Sequence, residues 1–487
     1  MRIKDLYFGK NDGKEEAAFN QDFDHFYFNY DDNYSKILQP DKFLLLGRKG
    51  SGKSILAEYI LKESKKSENP WFCEIVSYKE FNFNEMIFLK SENVTPNEYT
   101  EIWHWLTLIN ISKMLLKDQS LTHNLEYEKL RRFFIQNYNS IEIDSNKVIQ
   151  ITKKNEINAS FLKEILSLGG GTSSEKLLET GSYINYIENL ECTVIELLQK
   201  SNNKYNVIFD ELDDKFQNES TYKSILISLI KNTARLNRKL FSLGTKCKIM
   251  VLMRTDIMNI LNDPDLNKIY MDNSVTIDWG DSVNKFSPLL QMIYTKIRKS
   301  MKTEKAANKI SDYEIYSTFL PDNISTRTSE EYILGRTFFR PRDVVTYFNL
   351  ITNNRDFGNS DRFEWFHFTK CEQQYSDYFF REIKNEMCGH FSDSFISESF
   401  KLLSQFRKVE FTYSEILKFF EESKIFQEIE VDKALDALFK FGALGNKWYN
   451  DKKDRYFYSW NYRMETEIDY GKTFVIHLGL RKALGCI

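Results

Sequence analysis

The 487-residue chain has few of the residues that build metal centres and disulfide frameworks. Its six cysteines are scattered without a C-x-x-C pair, and it has only six histidines. A structural zinc site needs clustered thiolates and imidazoles, and a disulfide scaffold needs a high density of cysteine. We therefore expect neither of these, and we expect the protein to reside in the reducing cytoplasm.

Long apolar runs and an excess of one charge are also missing. No run approaches the ~18 apolar residues that span a bilayer, and the first residues lack the apolar stretch of a secretion signal. The 67 basic residues are matched by 70 acidic residues, so no global field draws the protein toward nucleic acid or acidic lipid. We expect no membrane partner, and any contact with DNA has to be local.

A phosphate-binding motif follows the apolar run at 43–46. Residues 47–54 read GRKGSGKS, which matches G-x-x-x-x-G-K-[ST] and leads into a helical pattern at 55–61. Glycines let backbone N–H groups turn toward an anion at the positive end of the following helix. Lys53 would bridge the β- and γ-phosphates of a nucleotide, and the Ser54 hydroxyl would coordinate Mg²⁺. The predicted nucleotide-binding residues are Gly47, Lys49, Gly50, Ser51, Gly52, Lys53, Ser54 and Ile55. The alternative is a glycine-rich turn that resembles the motif by chance.

An acidic pair ends a second apolar run. Residues 205–209 read YNVIF, which predicts a buried parallel strand, and Asp210 and Glu211 follow. Asp210 would hold the Mg²⁺, and Glu211 would polarise the attacking water, as in a Walker B strand. The alternative is a solvated acidic loop after a strand. Asp213 and Asp214 are interpreted as outer or surface residues.

A third apolar run ends in Arg254. Residues 248–257 read KIMVLMRTDI and predict a strand beside the Walker B strand. Arg254, Thr255 or Asp256 would then reach the γ-phosphate or the attacking water as a sensor of hydrolysis. Pairing between Arg254 and Asp256 at the strand end explains the same residues equally well.

Apolar periodicity also predicts a strand over 71–78 and helices over 99–117 and 220–240. The interval 120–180 is polar and rich in asparagine, which favours a helical insertion between core strands. The glycine cluster at 169–174 within it lacks the lysine of a phosphate loop, and we interpret it as a flexible loop.

In this order, GRKGSGKS, VIFDELDD and KIMVLMRTDI resemble the P-loop ATPases related to AAA+ and STAND proteins, especially the origin-recognition-like ATPases whose Walker B sequence is D-E-L-D. LYFG at 6–9 and RPRD at 340–343 are similar to a family of bacterial P-loop ATPases often found among mobile-element and phage-defence genes. The resemblance implies an α/β fold in which a P-loop core with a parallel sheet flanked by helices is followed by a helical lid and a carboxy-terminal winged helix. The implied boundaries are 1–285 for the core, with a helical insertion around 95–185, then 286–390 for the lid and 391–487 for the winged helix.

The same resemblance implies a sensor arginine in the lid. Arg340 or Arg342 matches the arginine that a lid helix offers to the γ-phosphate, where it would neutralise charge. Pro341 fits the first turn of that helix. A surface salt bridge to Asp343 or to a neighbouring residue is the alternative.

The carboxy-terminal pattern is three amphipathic helices over 394–406, 412–422 and 431–444, and then a hairpin from 447 to 460. This order is typical of a winged helix. The third helix carries as many acidic as basic residues, which would attract DNA phosphates weakly. We therefore expect docking to another protein or within the chain rather than sequence-specific binding to DNA.

Together these features predict a Mg²⁺-dependent ATPase that acts as a molecular switch or motor on a protein partner, and the resemblance extends this to phage defence. A nucleotide-gated DNA-binding scaffold similar to origin-binding ATPases is the alternative, and homo-oligomerisation is left open. The predicted catalytic residues are Glu211, Lys53, Arg254, Arg340 and Arg342.

Overall fold

The computed structural model describes residues 1–88, 98–153, 183–212, 220–301, 310–423, 429–464 and 466–486. The predicted loop at 169–174 and the residues Asp213 and Asp214 lie outside the described residues. Contacts divide the chain into two compact units. The sheet unit comprises Asp31–Arg48 and Lys53–Ile277, and the carboxyl unit comprises Met1–Tyr30, Lys49–Gly52 and Asp278–Ile487.

The sheet unit is built on five parallel strands. They are β1 (Leu44–Gly47), β2 (Phe72–Ser77), β3 (Tyr205–Asp210), β4 (Cys247–Arg254) and β5 (Ser274–Ile277), in the spatial order β2-β3-β4-β1-β5. β1 consists of three leucines followed by Gly47. Every residue of β1, β3 and β4 is buried, as expected for a parallel sheet covered on both faces. The predicted parallel sheet with flanking helices is confirmed.

Helices surround this sheet. Their bounds are Asn33–Leu38, Lys53–Lys66, Phe83–Phe88, Glu98–Lys117, Leu125–Tyr138, Ser145–Lys153, Ile184–Lys200, Ser220–Ser242, Thr255–Met258 and Leu266–Asn273, with a 3-10 turn at Gln119–Leu121. The Glu98–Lys117 helix carries Trp103 and Trp105, both fully buried in the core. Trp103 donates its indole N–H to the carbonyl oxygen of Ile225 at 2.9 Å, which joins this helix to Ser220–Ser242. No helix among the described residues is long and apolar enough to cross a bilayer.

The strand predicted over 248–257 is too long at its carboxyl end. β4 stops at Arg254, which has extended backbone angles, and the Thr255–Met258 helix begins at the next residue. Asp256 lies in the first turn of that helix, where a carboxylate is favoured by the helix dipole. The polar residues after the apolar run therefore start a helix instead of extending the strand.

The carboxyl unit combines helices with short antiparallel strands. Its helices are Gly13–Phe19, Phe23–Phe26, Pro288–Ser300, Asp312–Phe319, Ser329–Leu334, Pro341–Thr352, Trp365–Met387, Asp393–Phe406, Tyr413–Ser423, Val431–Lys440 and Asn461–Met464. Asn323–Ile324 pairs with Arg327–Thr328, and a four-stranded sheet has the order Arg455–Ser459, Leu444–Asn450, Thr473–Ile476, Glu410–Phe411. There are 3-10 turns at Ile3–Asp5 and Leu478–Leu480, and Tyr30–Asp32 forms another at the boundary of the two units.

The helix predicted over 431–444 ends earlier, at Lys440. Gly442 has φ +76°, a left-handed conformation that ends helices, and the N–H of Ala443 returns to the carbonyl of Leu438 at 2.8 Å. A Cβ atom at Gly442 would lie 2.8 Å from the ring of Tyr462, so the position also lacks space for a side chain. The lid and winged-helix assignments and their boundaries stay predictions.

A polar cluster around the buried His104 and Glu191 joins three helices of the sheet unit. His104 Nε2 lies 3.4 Å from Glu191 Oε1, and Arg235 Nη2 lies 2.9 Å from His104 Nδ1. Lys239 Nζ donates to Glu191 Oε2 at 2.7 Å. Burial alone would raise the pKa of Glu191, but hydrogen bonds from His104 and Lys239 outweigh burial and lower this pKa to about 2. The charged carboxylate is therefore the form that stabilises the fold.

This lowered pKa predicts how stability depends on pH. The contribution of Glu191 is fully present above its unfolded pKa of 4.5 and is lost as the pH falls toward its folded pKa of about 2. We expect Glu191→Gln to lower the free energy of unfolding by about 3 kcal/mol at pH 7. The difference from wild type should shrink between pH 4.5 and 2, measured by urea unfolding. Glu188→Gln, at an exposed position of the same helix, is the control and should show no such trend.

Candidate phosphate-binding site

The loop between β1 and the Lys53–Lys66 helix has the backbone that its glycines predict. Gly50 has φ +78° and Gly52 has φ +107°, angles that residues with a side chain rarely adopt. A Cβ atom at Gly50 would also lie 3.1 Å from the Cβ atom of Arg342. Position 50 therefore requires glycine, because its backbone is left-handed and because the Arg342 side chain approaches it closely.

The loop opens into the amino-terminal end of a helix. Lys53 begins a 14-residue helix, and Ser54 and Ile55 follow in its first turn. The Lys53 side chain is buried, and its Nζ donates to the carbonyl oxygens of Gly47 at 2.9 Å and Arg48 at 3.2 Å. A cation and the positive end of a helix thus lie at the same loop, which favours binding of an anion.

The acidic strand end is held in an uncommon conformation. Asp210, the last residue of β3, is buried, and its Oδ1 accepts from the N–H of Glu211 at 2.8 Å. Glu211 has φ +60°, a left-handed angle that costs a non-glycine residue ~1–3 kcal/mol. Ser77 lies opposite Asp210 in the ladder between β2 and β3, and its hydroxyl donates to Glu211 Oε2. Ser77 therefore fixes the direction of the Glu211 carboxylate.

The sheet brings these segments to one edge. β4 lies between β1 and β3, and Gly47 is opposite Arg254 in the ladder between β1 and β4. Because neighbouring strands are ~4.8 Å apart, the ends of β1 and β3 are separated by about 10 Å. Ligands of parallel α/β sheets bind beyond the carboxyl ends of the strands, where the chain reverses its order across the sheet. The predicted residues of the sheet unit lie at the carboxyl ends of β1, β3 and β4, which is the position where such ligands bind.

The donor set at this edge fits a magnesium–nucleotide complex. Asp210 supplies carboxylate oxygens and Ser54 a hydroxyl oxygen, which are the hard ligands that Mg²⁺ prefers. Lys53 supplies a cation, and the left-handed glycines allow successive backbone N–H groups to face an anion. The chemistry of the side chains and the backbone conformation of the loop agree on the same class of ligand.

Arg254 is paired at the strand end. Its Nε and Nη2 donate to the two carboxylate oxygens of Asp256 at 3.0 and 2.5 Å, and the Arg254 side chain is buried. This ion pair is the one that the sequence analysis gave as the alternative to a sensor role. The role of Arg254 as a sensor stays a prediction.

Arg340 lies at the N-cap of the Pro341–Thr352 helix, and only 1% of it is exposed. Its Nε and Nη2 donate to Asp343 at 2.9 and 3.0 Å, and its Nη1 donates both to Glu386 and to the carbonyl oxygen of Lys49 at 3.0 Å. The salt bridge to Asp343 exists, but it is buried rather than at the surface because Asp343 is fully enclosed as well.

Arg342 is less buried than Arg340. Its Nε donates to the carbonyl oxygen of Asn11 at 3.0 Å, and its Nη1 donates to Glu382 at 3.1 Å. Arg340 and Arg342 therefore both pair with carboxylates within the carboxyl unit. Their proposed contact with a γ-phosphate stays a prediction.

Sequence reasoning missed two residues of the site. Ser77 ends the strand that was predicted over 71–78, and its register opposite Asp210 would have been needed to connect it with Glu211. Trp279 follows β5, and its indole N–H donates to the carbonyl oxygen of Ser51 at 2.8 Å. β5 has only four residues, so its pattern was too short to reveal the strand or the tryptophan after it.

Comparison with known proteins gives three similarities. Residues 287–384 match the family model of the FunZ-associated C-terminal helical domain. The chain is 22% identical over 334 residues to the putative transposon gamma-delta 80.3 kDa protein of Escherichia coli (strain K12); the alignment covers 65% of this chain and 43% of that protein. The chain thus spans less than half the length of this relative. The structure of the Aeropyrum pernix ORC1 protein in complex with DNA aligns with 93% of this chain and 91% of that one, at 9% identity and a TM-score of 0.38.

The contact between Ser77 and Glu211 predicts a kinetic defect. For the catalytic role that the sequence predicts for Glu211, we expect Ser77→Ala to lower the rate of nucleotide hydrolysis about 10- to 100-fold, because a misplaced catalytic group costs rate rather than affinity. Single-turnover phosphate release and equilibrium nucleotide binding separate the two quantities. Ser242→Ala, at an exposed helix end, is the matched control. An equal loss of affinity and rate in Ser77→Ala would contradict the assigned role.

Proposed function

We propose that this chain binds ATP with Mg²⁺ and hydrolyses it. The observation that carries the proposal is the phosphate loop, with left-handed glycines and the buried Lys53, on the same sheet edge as the Asp210–Glu211 strand end. A bound Mg²⁺ would neutralise phosphate charge at this edge. The ATPase assignment also accounts for the positive φ of Glu211, since strained residues concentrate at functional sites.

The residues of the candidate site that lie in the sheet unit have distinct roles in this proposal. Lys53 would leave the carbonyl oxygens of its own loop and bind the phosphates, and Ser54 and Asp210 would hold the metal. Glu211, directed by Ser77, would orient the attacking water and accept its proton.

We further propose that the ATPase cycle acts as a switch or motor on a protein partner. In this proposal residues 286–390 form the lid and residues 391–487 the winged helix, in a cytoplasmic protein whose self-association is open. The helix Val431–Lys440 supports protein docking over DNA, because its two lysines are balanced by two aspartates and Lys433 is paired with Glu430 at 2.8 Å. The named transposon relative supports a role in mobile elements, and a role in phage defence is proposed from the motif resemblance alone.

Two substitutions test the ATPase proposal. Lys53→Ala should weaken MgATP binding about 100-fold or more, because it removes the cation that would bind the β- and γ-phosphates in the proposed complex. Glu211→Gln should keep affinity and lose turnover, trapping bound ATP. Binding of a fluorescent ATP analogue and phosphate release measure the two effects. Lys65→Ala, at an exposed position of the same helix, is the control. Unchanged affinity in Lys53→Ala would refute the proposal.

A second candidate function is a nucleotide-gated DNA-binding scaffold. It is favoured by one surface, the hairpin of Leu444–Asn450 and Arg455–Ser459, which exposes Tyr456 (57%) and Tyr458 (46%). Lys447 lies with its Nζ 4.4 Å from the ring centroid of Tyr456, but it also pairs with Glu410 at 2.7 Å. The exposed tyrosine hydroxyls are therefore the groups of this surface that could donate to DNA phosphates.

Salt dependence distinguishes the two functions. A DNA scaffold should bind duplex DNA with an affinity that falls steeply with salt and rises with ATP. In filter binding, Tyr456→Ala should then weaken DNA binding about fivefold, the value of one lost contact. Tyr313→Ala, another exposed tyrosine, is the control. Salt-independent or absent DNA binding would favour the switch that acts on protein.

A further inference from the structure

The outer side of the phosphate loop is held by groups from distant parts of the sequence. The loop tip, Lys49–Gly52, belongs by its contacts to the carboxyl unit. The carbonyl oxygens of its first three residues accept, in chain order, from Arg340 Nη1 at 3.0 Å, the backbone N–H of Arg342 at 3.4 Å and Trp279 Nε1 at 2.8 Å. Three successive peptide groups are thus fixed from one side.

Because peptide groups are planar, these contacts also constrain the opposite side of the loop tip. In a planar trans peptide, the C=O and the following N–H point in opposite directions. The carbonyls of Lys49, Gly50 and Ser51 share their peptide planes with the N–H groups of the next residue in each case. Fixing these carbonyls therefore directs three successive N–H groups away from Trp279 and Arg340, as binding of an anion by backbone amides requires.

Trp279 is itself held in place. Its ring stacks on Tyr30, with centroids 4.6 Å apart and planes 17° apart, and Phe28 stacks at 6.1 Å. Only 7% of Trp279 is exposed. The indole N–H therefore has one defined direction, and Ser51 is its acceptor.

Arg340 is held even more firmly. Asp343, which binds two of its nitrogen atoms, also accepts from the N–H of Phe338 at 3.0 Å and from the hydroxyl of Tyr378 at 3.2 Å. The preceding residue, Phe339, has φ +53°, a strained angle for an aromatic residue. The surrounding contacts maintain this strain, and with it the direction of the Arg340 guanidinium.

We propose that Trp279 and Arg340 are positioning residues that orient the loop-tip amides for a polyphosphate without touching it. The inference rests on the proposed function, since it assumes that the loop binds phosphate. It replaces a direct sensor role for Arg340 with a contact to the opposite side of the loop. In this proposal Trp279 and Arg340 control the affinity for the phosphates of the nucleotide and not the affinity for its base.

Trp279→Phe tests the proposal because it keeps an aromatic ring for stacking and removes the N–H donor. We expect the dissociation constants of MgATP and of magnesium tripolyphosphate to rise together by about two- to tenfold, the effect of one hydrogen bond. Both are measured by competition with a fluorescent ATP analogue, and the melting temperature is recorded in parallel. Trp103→Phe is the matched control, because it removes an indole bond to a backbone carbonyl elsewhere in the core.

The control separates orientation from general destabilisation. If Trp103→Phe lowers the melting temperature as much as Trp279→Phe does but leaves both affinities unchanged, the positioning role is supported. Arg340→Lys is the second variant; it keeps a charge for Asp343 and Glu386 but loses the planar fork that also reaches Lys49. Wild-type affinity for tripolyphosphate in both folded variants would overturn the inference. Failure of wild type itself to bind MgATP would instead refute the proposed function.

Discussion

The parallel hydrogen-bond ladder of the sheet unit determines which side chains meet at the candidate site. β4 separates β1 from β3, and the ladder places Gly47 beside Arg254 and Ser77 beside Asp210. A slip of one residue would turn each of these side chains to the other face of the sheet. The chemistry at this edge is therefore a property of strand register as much as of the motifs themselves.

Those parts of the fold that depend on local pattern were predictable from the sequence. β1, β3 and β4 are centred on the apolar runs LLL, VIF and IMVLM, and each strand ends close to where polar residues begin. The loop glycines were also predictable, because few other residues adopt their backbone angles. By contrast, β5 was missed because four residues with one exposed position give too little signal.

The contacts that orient the site were not predictable, because they join residues far apart in the chain. Arg340 was recognised as important, but its partners, Asp343, Glu386 and the Lys49 carbonyl, are set by tertiary packing. The same holds for Ser77 and Glu211, which are 134 positions apart. A motif specifies which residue types are needed, whereas their directions depend on neighbours that only the folded chain brings together.

The assignment of the loop tip to the carboxyl unit has a practical consequence for designing truncated proteins. A fragment comprising residues 1–285 would retain the phosphate-loop motif, the Asp210–Glu211 pair and Arg254. It would keep Trp279 but lack Arg340 and the Arg342 amide, so two of the three outer contacts at Lys49–Gly52 would be absent. Binding measured on such a fragment would reflect a loop tip that lacks these contacts and would not represent the affinity of the full chain.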